Sequence, residues 1–118
     1  MRQPEHLAQA ALFRWAGYQT KRLPELSLLF AIPNGGMRSK ATAAKLKAEG
    51  VKPGVPDICL PVARGEYHSL WIEMKAGRNR PTPSQVAWHM RLSQEGHRVV
   101  VCWSWEAAKD AIEEYLGG

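Results

Sequence analysis

Two short apolar runs on either side of a turn constrain the fold of this chain more than any other feature. In each run the apolar residues alternate with period two: Ile58, Leu60 and Val62 in the first, and Leu70, Ile72 and Met74 in the second. This alternation is typical of strands with one buried face. The segment 63–66 between the runs contains a glycine, so the sequence predicts an antiparallel hairpin.

A hairpin centred on Gly65 places two carboxylates opposite each other. Asp57 then faces Glu73, and both lie with Lys75 on the face away from the apolar residues. Carboxylates in such a pair have Cβ atoms about 4.5–5.5 Å apart and repel each other. A divalent cation such as Mg²⁺ removes this repulsion, because it binds carboxylate oxygens. The alternative is a solvated face with a Glu–Lys neighbour pair; the preceding Pro56 and the symmetry about Gly65 favour the metal site.

The same residues carry a family resemblance. Pro56-Asp57, followed on the next strand by Glu73-Met74-Lys75, resembles the PD-(D/E)xK nuclease signature. Three surrounding segments are similar to its VRR-NUC branch, and within that branch to small stand-alone, phage-type members: Asn34-Gly35-Gly36-Met37-Arg38, residues 50–57, and Ser84 with Trp88-His89. The resemblance covers nearly the whole chain.

The resemblance implies a fold and an activity. The fold is a restriction-endonuclease-like core of the α/β class, with a mixed four-stranded sheet flanked by helices. The activity is Mg²⁺-dependent hydrolysis of phosphodiester bonds in DNA, with Mn²⁺ as a substitute ion, leaving a 5′-phosphate and a 3′-hydroxyl. Small members resemble structure-selective endonucleases that cut branched DNA, including four-way (Holliday) junctions, as homodimers.

It also implies roles for the residues of the hairpin. Asp57 and Glu73 hold the metal ion, and the Met74 backbone carbonyl is a further ligand implied by the geometry of the family. Lys75 orients the attacking water or stabilises charge that develops on the phosphate.

Two helices supply further candidates. The family resemblance implies that Glu5 in the first helix completes the acidic cluster. The alternative is that Glu5 is an acid in a first helical turn, where the helix dipole favours it. Gln9 and His6 are weaker candidates for the role in the cluster. Gln85 contacts the active-site water or the lysine by resemblance, or it serves as a helix-capping partner. His89 is interpreted as a helix-face histidine rather than a metal ligand.

The charge of the chain favours an anionic partner, nucleic acid first. The net charge is +5, and residues 38–52 hold five basic residues against one acidic residue. The alternative for this segment is a solvated basic helix face. Nothing resembles a base-reading element, so we expect contacts with the DNA backbone. The candidate DNA contacts are Asn34, Gly35, Arg38, Lys40, Lys45, Lys47, Lys52, Arg78 and Arg80.

The whole chain sets broader expectations. Its 118 residues predict one domain, 1–118. The lack of a long apolar run or a signal-peptide pattern predicts a soluble, intracellular protein. The resemblance to phage-type members implies the cytoplasm of a bacterium or a phage-infected cell. Cys59 and Cys102 are expected to be buried free thiols. The rival function is a non-catalytic DNA-binding module that retains a nuclease-like fold.

The remaining elements follow from apolar spacing and capping residues. Helices are predicted over 4–19, 39–49, 82–95 and 105–116, and strands over 27–32 and 97–103. We expect the continuous apolar run 27–32 to be a buried strand. The apolar residues of the second helix should contact the rest of the chain. In the third helix, Val86, Met90 and either Trp88 or Leu92 should face the core.

Overall fold

A computed structural model describes residues 3–33 and 39–117 of the chain. Its helices are α1 (Gln3–Tyr18), α2 (Lys40–Ala48), α3 (Pro83–Gln94) and α4 (Trp105–Tyr115), with a 3-10 helix at Pro24–Leu28. Its strands are β1 (Phe30–Ala31), β2 (Ile58–Leu60), β3 (Leu70–Met74) and β4 (Arg98–Cys102). The element order is the predicted one, with the 3-10 helix added.

The four strands form one mixed sheet in the order β1-β2-β3-β4. The first three pair antiparallel, and β3 pairs parallel with β4. A parallel pair needs a long crossover, which α3 supplies. Ile58 pairs with Ile72 and Leu60 with Leu70, as the hairpin prediction requires. The predicted α/β fold with a mixed four-stranded sheet flanked by helices is confirmed.

The turn of the hairpin closes at the predicted position. Arg64 and Tyr67 exchange both backbone hydrogen bonds, at 3.1 and 2.9 Å. Gly65 between them has φ +56°, a left-handed conformation that glycine adopts without a steric penalty. Turn geometry and hydrophobic alternation therefore specify the same register.

One face of the hairpin is buried against α1 and α4. The core includes the apolar residues Leu12, Ala16, Ile58, Leu60, Leu70, Ile72, Met74, Ala108 and Ile112. Because strand side chains alternate, Glu73 lies on the opposite face, where α3 packs. Cys59 and Cys102 are buried free thiols, as predicted.

The prediction of a buried strand over 27–32 is wrong. Pro24–Leu28 is a 3-10 helix, and β1 comprises Phe30 and Ala31, both exposed at the sheet edge. The buried residues are Leu26 and Leu29, three positions apart. This spacing suits a 3-10 turn, in which residues i and i+3 lie on one side.

Two expectations about helix faces are also wrong. Val86 and Met90 are 43% and 58% exposed, so neither faces the core. The nine residues of α2 include none that is buried, although Ser39 caps the helix as predicted. Within the described residues, no helix is both long enough and apolar enough to span a membrane.

Candidate active site

Asp57 directly precedes β2 and is held at both its backbone and its side chain. Its backbone carbonyl accepts a hydrogen bond from Ile32 N at 2.7 Å. Its Oδ2 accepts another from the backbone N–H of Met74, also at 2.7 Å. The β2–β3 ladder ends at Ile58 and Ile72, so the Asp57 side chain replaces the next backbone partner of β3. The carboxylate is therefore fixed between two strands.

Glu73 and Lys75 share the face of β3 that carries the Asp57 carboxylate. Both are buried, and Glu73 is only 1% exposed. The charge of Lys75 favours ionised Glu73, whereas that of Asp57 opposes it. The structure thus brings together the two carboxylates and the lysine that the sequence placed on one face of the hairpin.

Burial controls the protonation of Glu73. The pKa of this carboxyl is raised from 4.5 to about 9, first by burial and then by its hydrogen bond with Asp57 and the Asp57 charge. Glu5 adds a smaller effect in the same direction. Like charges that share a buried site resist ionising together, so the metal-free pair retains a proton at neutral pH.

Helix α3 delivers two side chains to Glu73. Gln85 Nε2 lies 3.4 Å from Glu73 Oε2, and His89 Nε2 lies 3.2 Å from Glu73 Oε1. Gln85 also forms the predicted capping box with Thr82, and its contact within the site is with Glu73. The interpretation of His89 as a helix-face residue missed its contact with Glu73. The four-residue spacing from Gln85, which puts both on one helix face, is the signal that could have found it.

Helix α1 contributes polar groups from the other side. Glu5 is buried, and its charge reaches Glu73. One turn later, Gln9 Oε1 is buried without a hydrogen-bond partner among the described residues. His6 is exposed. A buried acceptor without a partner carries a free-energy cost that a water molecule removes.

The donor set suits Mg²⁺. No cluster of three or more His, Cys, Asp or Glu side chains able to hold a metal occurs within residues 3–33 and 39–117. Mg²⁺ does not need such a cage, because it keeps several waters and binds through one or two carboxylates plus substrate phosphates. Asp57 and Glu73 supply two adjacent carboxylates, and the unpartnered Gln9 oxygen is an acceptor for water. The residues present therefore fit this ion.

The described DNA-contact candidates all lie at the surface. These are Lys40, Lys45, Lys47, Lys52, Arg78 and Arg80. Asn34, Gly35 and Arg38 fall outside the described residues. Arg78 and Arg80 follow Lys75 in the loop between β3 and α3, so their charges are close in sequence to the buried carboxylates.

Comparison with known proteins gives the family. The family described as VRR-NUC domain matches residues 5–105. This chain belongs to the VRR-NUC family. A solved VRR-NUC structure, titled "VRR_NUC domain protein", is 31% identical with a TM-score of 0.82, over 98% of this chain and 90% of that one. Another, titled "VRR_NUC domain", shares the fold at 21% identity and a TM-score of 0.53, over 90% and 95% of the two chains. Among curated proteins, none matches.

VRR-NUC domains are generally nucleases, so this chain has a nuclease-type function in DNA processing. The matched range contains the hairpin, α3 and the carboxylate pair. The predicted membership of the VRR-NUC family is therefore confirmed.

Proposed function

We propose that this VRR-NUC protein is a Mg²⁺-dependent endodeoxyribonuclease of the PD-(D/E)xK type. The observation that carries the proposal is the convergence of Asp57, Glu73 and Lys75 as buried groups on one face of the sheet. Burying two carboxylates side by side costs free energy, and a fold that only had to bind DNA would not need them. The pair makes physical sense as a cation site.

The chain's own residues have distinct roles in this proposal. Asp57 and Glu73 hold the ion, with the Met74 carbonyl and Glu5 as additional candidates. Lys75 places its ammonium beside the carboxylates, where it orients a water or stabilises charge on the scissile phosphate. When bound, Mg²⁺ lowers the pKa of a coordinated water and offsets negative charge on the phosphate. Mn²⁺ has the same oxygen preference and should substitute.

We infer that the substrate is branched DNA, four-way junctions first, in the cytoplasm of a bacterium or a phage-infected cell. The exposed lysines of α2 and the arginines after β3 suit phosphate contacts, which position a protein without reading sequence. Such binding should weaken steeply with salt; affinity that did not change with salt would contradict it.

We also infer a two-fold homodimer. Helix α2 has nine residues and buries none of them, and isolated helices of this length are marginal in water. The exposed apolar side chains of α3 offer a second uncovered surface. A second copy that covers α2 and α3 would support both and would present two sites for paired nicks.

The test is cleavage of end-labelled four-way junction, flap, single-stranded and linear duplex DNA with Mg²⁺ or with EDTA. We expect metal-dependent cutting of the junction that Lys75→Ala abolishes, while Lys21→Ala, which removes an exposed lysine outside the candidate DNA contacts, retains it. Binding without cutting in Mg²⁺ or Mn²⁺ would favour the non-catalytic DNA-binding module. Preference for another substrate would refute the junction assignment alone.

A further inference from the structure

Helix α3 contacts both oxygens of one buried carboxylate. Gln85 approaches Oε2 of Glu73 and His89 approaches Oε1, at 3.4 and 3.2 Å. The two side chains are one helical turn apart and share a face of α3. Two contacts from one rigid element restrict rotation of the Glu73 carboxylate about its terminal bond.

The orientation of the Gln85 amide is fixed by its own helix. Its Oε1 accepts a hydrogen bond from Thr82 N at 2.8 Å. The NH₂ group must therefore point towards Glu73, where it can only donate. One of the two contacts is thus a donor whose direction is set by the capping box.

His89 must donate as well whenever Glu73 is ionised. An ionised carboxylate only accepts hydrogen bonds, so His89 then carries a proton on Nε2. A carboxylate that accepts these two hydrogen bonds keeps further lone pairs with which it can bind a cation.

We propose that His89 is a positioning residue that, together with Gln85, orients the Glu73 carboxylate towards a divalent metal ion. The inference rests on the proposed function and deepens it. Hydrogen bonds to carboxylate ligands from such partners are commonly worth about 10–100-fold in metal affinity. His89 acts through Glu73 and is not itself assigned to substrate or metal.

The test is Mn²⁺ binding measured by calorimetry at fixed pH in the absence of DNA. We expect His89→Leu to bind Mn²⁺ about 10–100-fold more weakly than wild type. His89→Gln should stay close to wild type, since its amide nitrogen reaches the position of Nε2. His89→Asn should behave as His89→Leu, because its shorter side chain reaches only the position of Nδ1.

A histidine far from the site provides the control. His68→Leu removes an exposed histidine before β3 and should leave Mn²⁺ affinity unchanged. With DNA, His89→Leu should lower kcat at subsaturating Mn²⁺ and leave KM for DNA nearly unchanged. Thermal unfolding of each variant checks folding. Should His89→Leu fail to fold, the difference in Mn²⁺ affinity between His89→Gln and His89→Asn tests the positioning role.

The outcomes separate this inference from the function on which it rests. Wild-type protein that bound no Mn²⁺ would refute the metal-dependent nuclease and this inference with it. Wild-type binding that His89→Leu and His89→Asn both preserved would refute the positioning role alone. His89 would then be a helix-face histidine, and the metal site would stand.

Discussion

The Glu73 carboxyl has a very different environment in the folded protein and in the unfolded chain, as the large change of its pKa shows. It is almost completely buried, faces Asp57 and receives contacts from α3. Its raised pKa keeps a proton on the carboxyl in metal-free protein at neutral pH. Ligation requires the carboxylate, so metal binding must displace that proton. In the proposed metal site, a divalent cation would offset the same burial and repulsion that oppose ionisation without metal.

This environment predicts how the stability of EDTA-treated protein depends on pH. The pKa of Glu73 rises from 4.5 to about 9 on folding, so between these values the folded carboxyl keeps a proton that the unfolded one has lost. Stability is therefore greatest below pH 4.5, falls as the pH rises from 4.5, and stops falling once the folded carboxyl also ionises above about 9. Thermal unfolding temperatures measured from pH 5 to about 9 should therefore fall for wild type relative to Glu73→Gln.

Added Mg²⁺ should change this trend in wild type. The ion should raise the unfolding temperature more at high pH than at low pH, because fewer protons then compete for the carboxylate. Glu73→Gln should show little response to Mg²⁺. Parallel pH curves for wild type and variant without metal would show that Glu73 is ionised in the folded protein, contrary to this account.

At the scale of elements, the loop before β2 packs closely against α3. Gly54 has φ +90°, and a Cβ there would lie 2.8 Å from Ser84 O and 2.9 Å from Trp88 Cδ1. The loop delivers Asp57, and α3 delivers Gln85 and therefore its contact with Glu73. This close approach fixes the two halves of the site relative to each other.

A pair of glycine variants tests that contact. Gly65→Ala forces a positive φ in open space and should cost about 1–2 kcal/mol of unfolding free energy. Gly54→Ala adds a clash with backbone and an indole ring, so its cost should be about 2–5 kcal/mol. Urea unfolding measures both. Equal losses would mean that α3 shifts freely away from the loop.

The elements also show what sequence could and could not predict. The hairpin register was predictable because a slip of one residue would expose its whole apolar set. The face of α3 was not: apolar spacing favoured Val86 and Met90, whereas the side that meets the sheet carries Gln85 and His89. Around a buried polar site the inward face of a helix is polar, so hydrophobic periodicity assigns it wrongly. The prediction of a buried strand over 27–32 failed for another reason: a continuous apolar run does not distinguish a strand from a 3-10 turn.

At the scale of the whole molecule, α2 and the outer side of α3 are two of the exposed surfaces among the described residues. Stable interfaces bury roughly 800 Å² per partner, more than two exposed side chains of α3 supply, so the inferred dimer requires α2 as well. This surface is separate from the buried carboxylates. A variant on it should therefore change assembly without removing the metal site.

Met90→Lys tests the dimer directly. Met90 is 58% exposed in the single chain, so lysine there should fold normally, whereas burial of an unpaired ammonium in an interface is costly. Sedimentation velocity should show a dimer for wild type and a monomer for Met90→Lys. Tyr18→Lys, an equally drastic change at an 80% exposed position on α1, should remain dimeric.

Mn²⁺ affinity should be the same in all three proteins, so a monomeric variant would nick one strand of a junction without the paired second cut. A wild type that sediments as a monomer with and without junction DNA would refute the two-fold assembly and leave the single-site chemistry intact.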